Sequence, residues 1–408
     1  MFTRSGTFPI RRARRATLGA LIAVVAMATA ASPSLAGGFS PTKVLRTAPA
    51  GADLEVRDIA TFADDIAVVW EEDRAAGRKS FLRISQDGGS TFRSIKKLGA
   101  GAQEPQVDVC DRFERFAYVI GTYSTGPETR DVSLHLVHTA NGSGGGGQFG
   151  RPDDERIARS PDVACVGRVR LAGAWFDEST SPTRVQVQIP SKGEFEPVPH
   201  FAANLGRGEV SRGLSVAATP HAVYVTWMRG DEVRFKRFSI GRDADATVTP
   251  HPTVTLFENP SAGRLRLAAS GDRVALVYQA RNDARIRISD DGGLTFSSAQ
   301  TLIDGPSVGE ATAYPTSVDM RGSRILVNGL YRISFPGEIP PDEDITAHTL
   351  FSTNGGDTFE RSTAMRQGIQ IGALVRSGGI QIPAEAWDQS AKVPQPMHQK
   401  LRFRTWPP

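Results

Sequence analysis

Ser289-Asp290-Asp291-Gly292-Gly293-Leu294-Thr295-Phe296 is the stretch that decides the fold. Two further versions occur, Ser85-Gln86-Asp87-Gly88-Gly89-Ser90-Thr91-Phe92 and Ser352-Thr353-Asn354-Gly355-Gly356-Asp357-Thr358-Phe359, with Asn354 in place of the acid. The pattern is Ser-x-Asp-x-Gly-x-Thr-aromatic, and its chemistry is that of a hairpin turn. A short Asp or Asn side chain accepts nearby backbone N–H groups and closes the turn. Gly supplies the positive φ that a tight turn needs. Thr and Phe suit the start of a return strand. Phe81-Leu82-Arg83-Ile84 leads into the first copy and alternates as a half-buried strand does.

Working outward, each octapeptide belongs to a longer unit marked by an apolar strand. These markers are Ile66 to Trp70, Phe116 to Ile120, Leu171 to Trp175, Val223 to Trp227, Val274 to Tyr278, Ile325 to Val327 and Ile380 to Ile382. Their spacing of about 50 to 55 residues is that of a propeller or array, and no stretch has the pattern of a long amphipathic helix. An inner strand precedes the marker, as at Asp53 to Ala60, Ser211 to Thr219, Gly263 to Ser270 and Ala313 to Met320. The last unit runs out after Leu401 to Arg404. The segment Phe39 to Leu45 is like the one after a turn motif, Phe296 to Leu302, so the N-terminal strand is expected to complete the last unit and remove the exposed edges.

The octapeptide resembles the Asp box, or BNR repeat, of the sialidase-like β-propellers. The resemblance implies an all-β chain with structural boxes remote from any pocket, so Asp87, Asp291 and Asn354 are expected to be structural. Seven units predict a seven-bladed propeller; the six blades of the sialidases are the alternative.

Residues 1–36 have the form of a signal peptide. Arg11, Arg12, Arg14 and Arg15 precede an apolar run from Leu18 to Ala30, and Ser34-Leu35-Ala36 is a small-residue cleavage site. Export by the Sec route to the surface or medium is expected; Arg14-Arg15 leaves a twin-arginine route open. Residues 37–408 then form a single propeller domain. Removing the five Arg of the first 36 residues from a net charge of +4 leaves −1, which excludes a general attraction to nucleic acid. No later stretch is long and apolar enough to span a bilayer, and a monomer is expected. Cys110 and Cys165 occupy nearly equivalent places in successive units. In an oxidising compartment they are expected to pair, with two buried thiols as the alternative.

Polar residues gather where propellers carry their pockets: Arg57, Glu71, Glu72, Asp73, Asp177, Arg229, Arg281, Tyr314, Arg332 and Asp388. Arg forks suit carboxylates. The sialidase resemblance implies Tyr314 as nucleophile, Glu209 as its base partner, Asp73 as acid/base, and Arg57, Arg229 and Arg281 as a clamp on the substrate carboxylate. The Ile-Pro that follows the family's first Arg is absent after Arg57, and an extra unit follows Tyr314. The leading expectation is therefore a non-catalytic recognition scaffold for a glycan or protein, with the sialidase-type hydrolase as the alternative. No cofactor and no metal site is expected: His135 and His138, three apart on a strand, point to opposite faces. The run Gly142 to Gly147 is expected to be a loop in a degenerate box, and Pro336 to Asp344 an acidic insertion. Trp70, Trp175, Trp227 and Trp387 are expected in the core, with sugar stacking as the alternative.

Overall fold

The computed structural model describes residues 43–99, 102–111, 115–124, 130–148, 158–167, 170–178, 183–189, 201–204, 211–241, 247–258, 263–305, 310–334, 343–366, 371–374, 380–386 and 400–406. All lie in the compact unit Ser34–Pro408. The signal-like segment, Glu209, the greater part of the 336–344 insertion, Trp387 and Asp388 lie outside the described residues.

Every described regular element is a strand, and these strands form seven antiparallel sheets. Blade one comprises Asp53–Phe62, Asp65–Asp73, Lys79–Ser85 and Lys96–Lys97. Blade two comprises Gln103–Asp111, Arg115–Ser124, Arg130–His138 and Gly144–Gln148. Blade three comprises Ala158–Val166, Arg170–Asp177, Arg184–Gln188 and Phe201–Asn204. Blade four comprises Ser211–Thr219, Ala222–Arg229 and Glu232–Ile240, with Val248–Pro250 and Val254–Glu258 sharing its outer edge on either side of a gap that contains Pro252. Blade five comprises Gly263–Ser270, Arg273–Ala280, Asp283–Ser289 and Gln300–Ile303, and blade six Glu310–Arg321, Arg324–Ser334, Glu343–Ser352 and Glu360–Arg366.

Blade seven holds Ala373–Leu374, Ile380–Ala386 and Lys400–Trp406, and its outer strand is Lys43–Thr47 from the other end of the chain. The first-listed strand of blades one to six and Ala373–Leu374 of blade seven are the inner ones. Each packs against the next, and Ala373–Leu374 against Asp53–Phe62, so the ring is closed. The result is a β-propeller whose blades surround a central channel.

The apolar cores lie between blades. One cluster joins Val56 and Trp70 of blade one to Leu401 of blade seven; another joins Phe176 of blade three to Val223 and Phe238 of blade four. The second strands are covered on both faces, as the pattern along Asp65–Asp73 records, which explains their unbroken apolar runs. Trp70, Trp175 and Trp227 are buried in these cores and present no stacking face.

The three octapeptides close alike. Asp291 Oδ1 accepts the N–H of Thr295 at 2.9 Å and Oδ2 accepts its hydroxyl at 2.6 Å, while Ser289 Oγ accepts the Gly293 N–H at 2.8 Å. Asp87 and Ser85 repeat this with Thr91 and Gly89. In the third turn the Asn354 Nδ2 donates to Thr358 Oγ1 at 2.9 Å, so the Asn changes one bond's direction and keeps the shape. A cation from the preceding blade also holds each turn: Lys43 Nζ donates to Gly89 O at 2.8 Å, Arg237 to Gly292 O at 3.1 Å and Arg273 to Gly355 O at 3.0 Å.

One expectation is corrected. The glycines from Gly144 do not form a loop: Gly144–Gln148 is the outer strand of blade two. A Cβ at Gly144 would lie 1.8 Å from Leu136 O, so this pairing requires a residue without one.

Candidate functional site

A β-bulge interrupts the inner strand in each of the first six blades. The register shifts between Val56 and Asp58, Gln103 and Gln106, Arg159 and Asp162, Arg212 and Ser215, Gly263 and Arg266, and Pro315 and Ser317. An extra residue bends the strand and re-aims its side chains. At four bulges the first extra residue has positive φ: Glu104 at 50°, Ser160 at 48°, Gly213 at 67° and Arg264 at 45°. Only one of the four is a glycine, so three bulges hold L residues in a sparsely populated conformation, a kind of strain concentrated at functional sites.

These bulges ring a cavity of about 560 Å³ in the channel, lined by Arg57, Glu104, Ser160, Arg264, Arg266 and Thr316 among others. Its exposed lining residues Ser160 and Arg264 stand near the start of their inner strands, and this end is taken as the mouth. The octapeptide turns lie at the opposite end, because Ser85 pairs with Ile66 and Gly88 donates to Asp64 O in the turn after the inner strand. Register alone thus separates the turns from the mouth.

On one side of the mouth the charges are closely paired. Arg57 Nε donates to Glu71 Oε2 at 2.5 Å and its Nη2 lies 2.7 Å from Glu55. Glu71 Oε1 accepts the bulge N–H of Glu104 at 2.9 Å, and Glu104 Oε2 accepts the bulge N–H of Ser160 at 2.9 Å. Burial raises the Glu55 carboxyl above its ordinary range, opposed by Arg57. On the other side, blade five supplies Arg264 and Arg266. The Arg264 guanidinium lies 4.0 Å from the centroid of the Tyr314 ring. Arg266 reaches inward and donates to Thr316 O and Leu265 O, each at 3.0 Å.

Below the mouth, burial dominates the carboxyls. Asp58 is pushed up to about 8 by burial and then by Asp162, and Asp108 up to about 7 by burial; Asp162 is also raised by burial. Arg266 is lowered by burial, against the pull of Asp162 and Asp58. Among the described residues no group of three His, Cys, Asp or Glu side chains converges as a metal site would require.

Of the residues chosen from sequence, Arg57 lines the cavity but is committed to Glu71 and Glu55. Tyr314, on the inner strand of blade six, sits against Arg264. Asp73 ends the second strand of blade one, is half exposed, and pairs with Arg78 at 3.3 Å. Arg229 ends the second strand of blade four at the mouth end, opposite Ser211. Arg281 is exposed in the turn after Ala280, with φ 55°. Glu72 is turned away into a network with Arg46, Arg74 and Trp70. Arg264 and Arg266 were not singled out. Their signal is the recurring tripeptide Glu104-Pro105-Gln106, Ser160-Pro161-Asp162, Gly213-Leu214-Ser215 and Arg264-Leu265-Arg266, which marks the bulge in four successive blades.

Cys110 and Cys165 form a disulfide between the inner strands of blades two and three, with Cα atoms 5.6 Å apart. No helix among the described residues is long and apolar enough to cross a membrane.

No family model matches the chain, and no curated protein matches it. Solved structures resemble it. One is the PL25 ulvan lyase, a polysaccharide lyase bound to a GlcA(1-4)Rha3S unit, at TM-score 0.52 and 9% identity, covering 87% of this chain and 96% of that one. Another is the endosialidase of phage phi92, at TM-score 0.50 and 10% identity, covering 90% of this chain and 69% of that one. The chain therefore has the β-propeller fold, with a polar channel mouth built on strand bulges.

Proposed function

We propose that this protein is an exported Asp-box β-propeller that binds a glycan at the channel mouth and acts as a recognition scaffold. The observation that carries the reading is the 560 Å³ cavity, whose rim is built from strained, polar bulge residues. Concave sites with convergent polar groups are where ligands bind, and hydroxyl-rich ligands match a rim of Glu, Ser, Thr and Arg. The solved structures of like fold include a polysaccharide lyase and an endosialidase, which agrees with a glycan ligand. The signal-like segment and the disulfide both fit an oxidising compartment outside the cytoplasm.

Two observations favour binding over sialidase-type hydrolysis. Arg57 is already paired with two carboxylates and is not free to clamp a third. Asp73 is half exposed and paired with Arg78. The alternative keeps one favourable feature, Tyr314 beside a cationic group at the mouth.

The test is calorimetric titration of the purified protein with a panel of neutral and acidic oligosaccharides, beside hydrolysis of a fluorogenic sialoside. Sugar binding without turnover is the expected result. Turnover abolished by Tyr314→Phe establishes the hydrolase instead. No sugar binding and no turnover leaves a protein ligand.

A further inference from the structure

The channel mouth is electrically divided, and this division names the ligand's charge; the inference rests on the glycan-binding reading above. On blades one and two, Glu55 and Glu71 pair with the guanidinium of Arg57, Arg78 reaches Glu71 at 3.9 Å, and the third acid, Glu104, accepts the Ser160 N–H. That side repels an anion. On blade five, Arg264 and Arg266 both line the cavity with no carboxylate of their own blade beside them among the described residues; Asp58, Asp108, Asp162 and Asp319 line it from other blades. No carboxylate pairs with Arg264 among the described residues; its guanidinium rests on the Tyr314 ring instead. Arg266 donates to two neutral carbonyls. Asp58 and Asp162 face it across the channel without a direct ion pair.

The backbone at Arg264 points the same way. Its φ is 45°, and the equivalent bulge position of the adjacent blade is Gly213 at 67°. Glycine is the unstrained choice there. An arginine held in that conformation places an exposed cation on the cavity rim. The Tyr314 ring takes one face of its guanidinium, and the in-plane N–H edge is the part assigned to a ligand. That edge is a fork matching the two oxygens of a carboxylate.

We infer that the ligand is an acidic sugar whose carboxylate docks on the Arg264 edge above Arg266, with its neutral hydroxyls toward Glu104 and Ser160. This pair differs from Arg57, Arg229 and Arg281, the clamp that the sialidase resemblance implies. The shared chemistry is a sugar-ring carboxylate, from a uronate or from a sialic acid.

The experiment is titration calorimetry at low salt with a glucuronate disaccharide, with sialyllactose, and with the methyl ester of each. Wild type, Arg264→Gln and Arg264→Lys are compared, with thermal unfolding as the check that each variant is folded. The expected result is at least tenfold tighter binding of one free acid than of its ester, and the acid that binds identifies the source. Arg264→Gln removes that preference, and Arg264→Lys retains part of it, because it keeps the charge and loses the fork. Equal binding of acid and ester overturns the inference and leaves the glycan reading standing. A preference that persists in Arg264→Gln overturns the anchor. No binding of any sugar, these or the neutral panel, to wild type removes the glycan reading itself.

Discussion

Asp162 Oδ2 accepts the N–H of Val216 at 2.6 Å across the seam between blades three and four, while its Oδ1 holds the N–H of Val163 in its own strand at 2.9 Å. The same device recurs around the channel. Asp58 accepts from Val107 at 2.9 Å, Asp108 from Cys165 at 2.6 Å, Ser215 from Leu267 at 3.0 Å and Asp319 from Leu374 at 2.6 Å. At the seam of blades five and six, Arg266 donates to Thr316 O instead. The inner strands cannot pair edge to edge as a sheet, so side chains satisfy backbone groups that face the seams.

Removing one of these acceptors strands two N–H groups. Asp162→Ala is expected to cost about 1.5–3 kcal/mol of unfolding free energy, and Asp162→Asn less, because the amide oxygen still accepts. Urea denaturation followed by tryptophan fluorescence measures both. A loss for the Ala variant no larger than for an exposed surface substitution would contradict the bridging role.

The carboxyls imply a pH profile. The Asp58 and Asp108 values, raised by burial to about 8 and about 7 from 3.8, mean that the native state keeps protons that the unfolded chain releases. Their contribution is complete below about pH 4 and is lost as pH rises through 7 to 8. Asp291 is lowered to about 2 by its bonds from Thr295, so its contribution is present above about pH 4 and is lost as pH falls through 2. These groups together place their stability maximum near pH 4, with a decline up to about pH 8 at a slope of up to ~1.4 kcal/mol per pH unit for each proton. Urea midpoints from pH 3 to 9 test this, and Asp58→Asn should flatten the decline. A midpoint that climbs between pH 5 and 8 is incompatible with it.

The disulfide joins residues 55 apart and ties blade two to blade three. Its removal in a Cys110→Ala, Cys165→Ala double variant should lower stability by about 2–4 kcal/mol. Reductant added to wild type should reproduce that shift and leave the double variant unchanged.

Two glycines of positive φ should respond differently to alanine. At Gly293, φ 82°, a Cβ would lie 2.7 Å from the Phe235 ring, whereas at Gly271, φ 61°, nothing lies within 4 Å. Gly271→Ala should cost only the backbone strain, about 1 kcal/mol, and Gly293→Ala about 1–3 kcal/mol more, from overpacking. Thermal melts of the two variants give the comparison; equal shifts would mean that the turn does not pack on blade four.

Much of the fold was legible in the chain because its determinants are local and repeat. Ser211–Thr219 and Gly263–Ser270 are legible as the strands that precede the apolar marker of their units, and closure by the N-terminal strand from the incomplete last unit and the likeness of Phe39 to Leu45 to Phe296 to Leu302. Gly144–Gln148 was not legible as a strand, since a run of glycines carries no side-chain period. The candidate site was legible only in part. Arg57 and Tyr314 stand at the mouth, but their sequence neighbours do not disclose that Arg57 is held by Glu55 and Glu71 or that Tyr314 lies against Arg264.

By itself the sequence determined the turns, the strand order and the joining of the two ends, because Ser-x-Asp-x-Gly bonds span four residues and each blade pairs with its own neighbours in the chain. Only the tertiary structure decided which charges meet. Arg264 and Tyr314 are 50 residues apart in the chain, and Asp162 and Val216 are separated by 54. Such pairs come together only when the ring closes. The charge balance of the channel is therefore a property of the assembled ring, not of any one repeat.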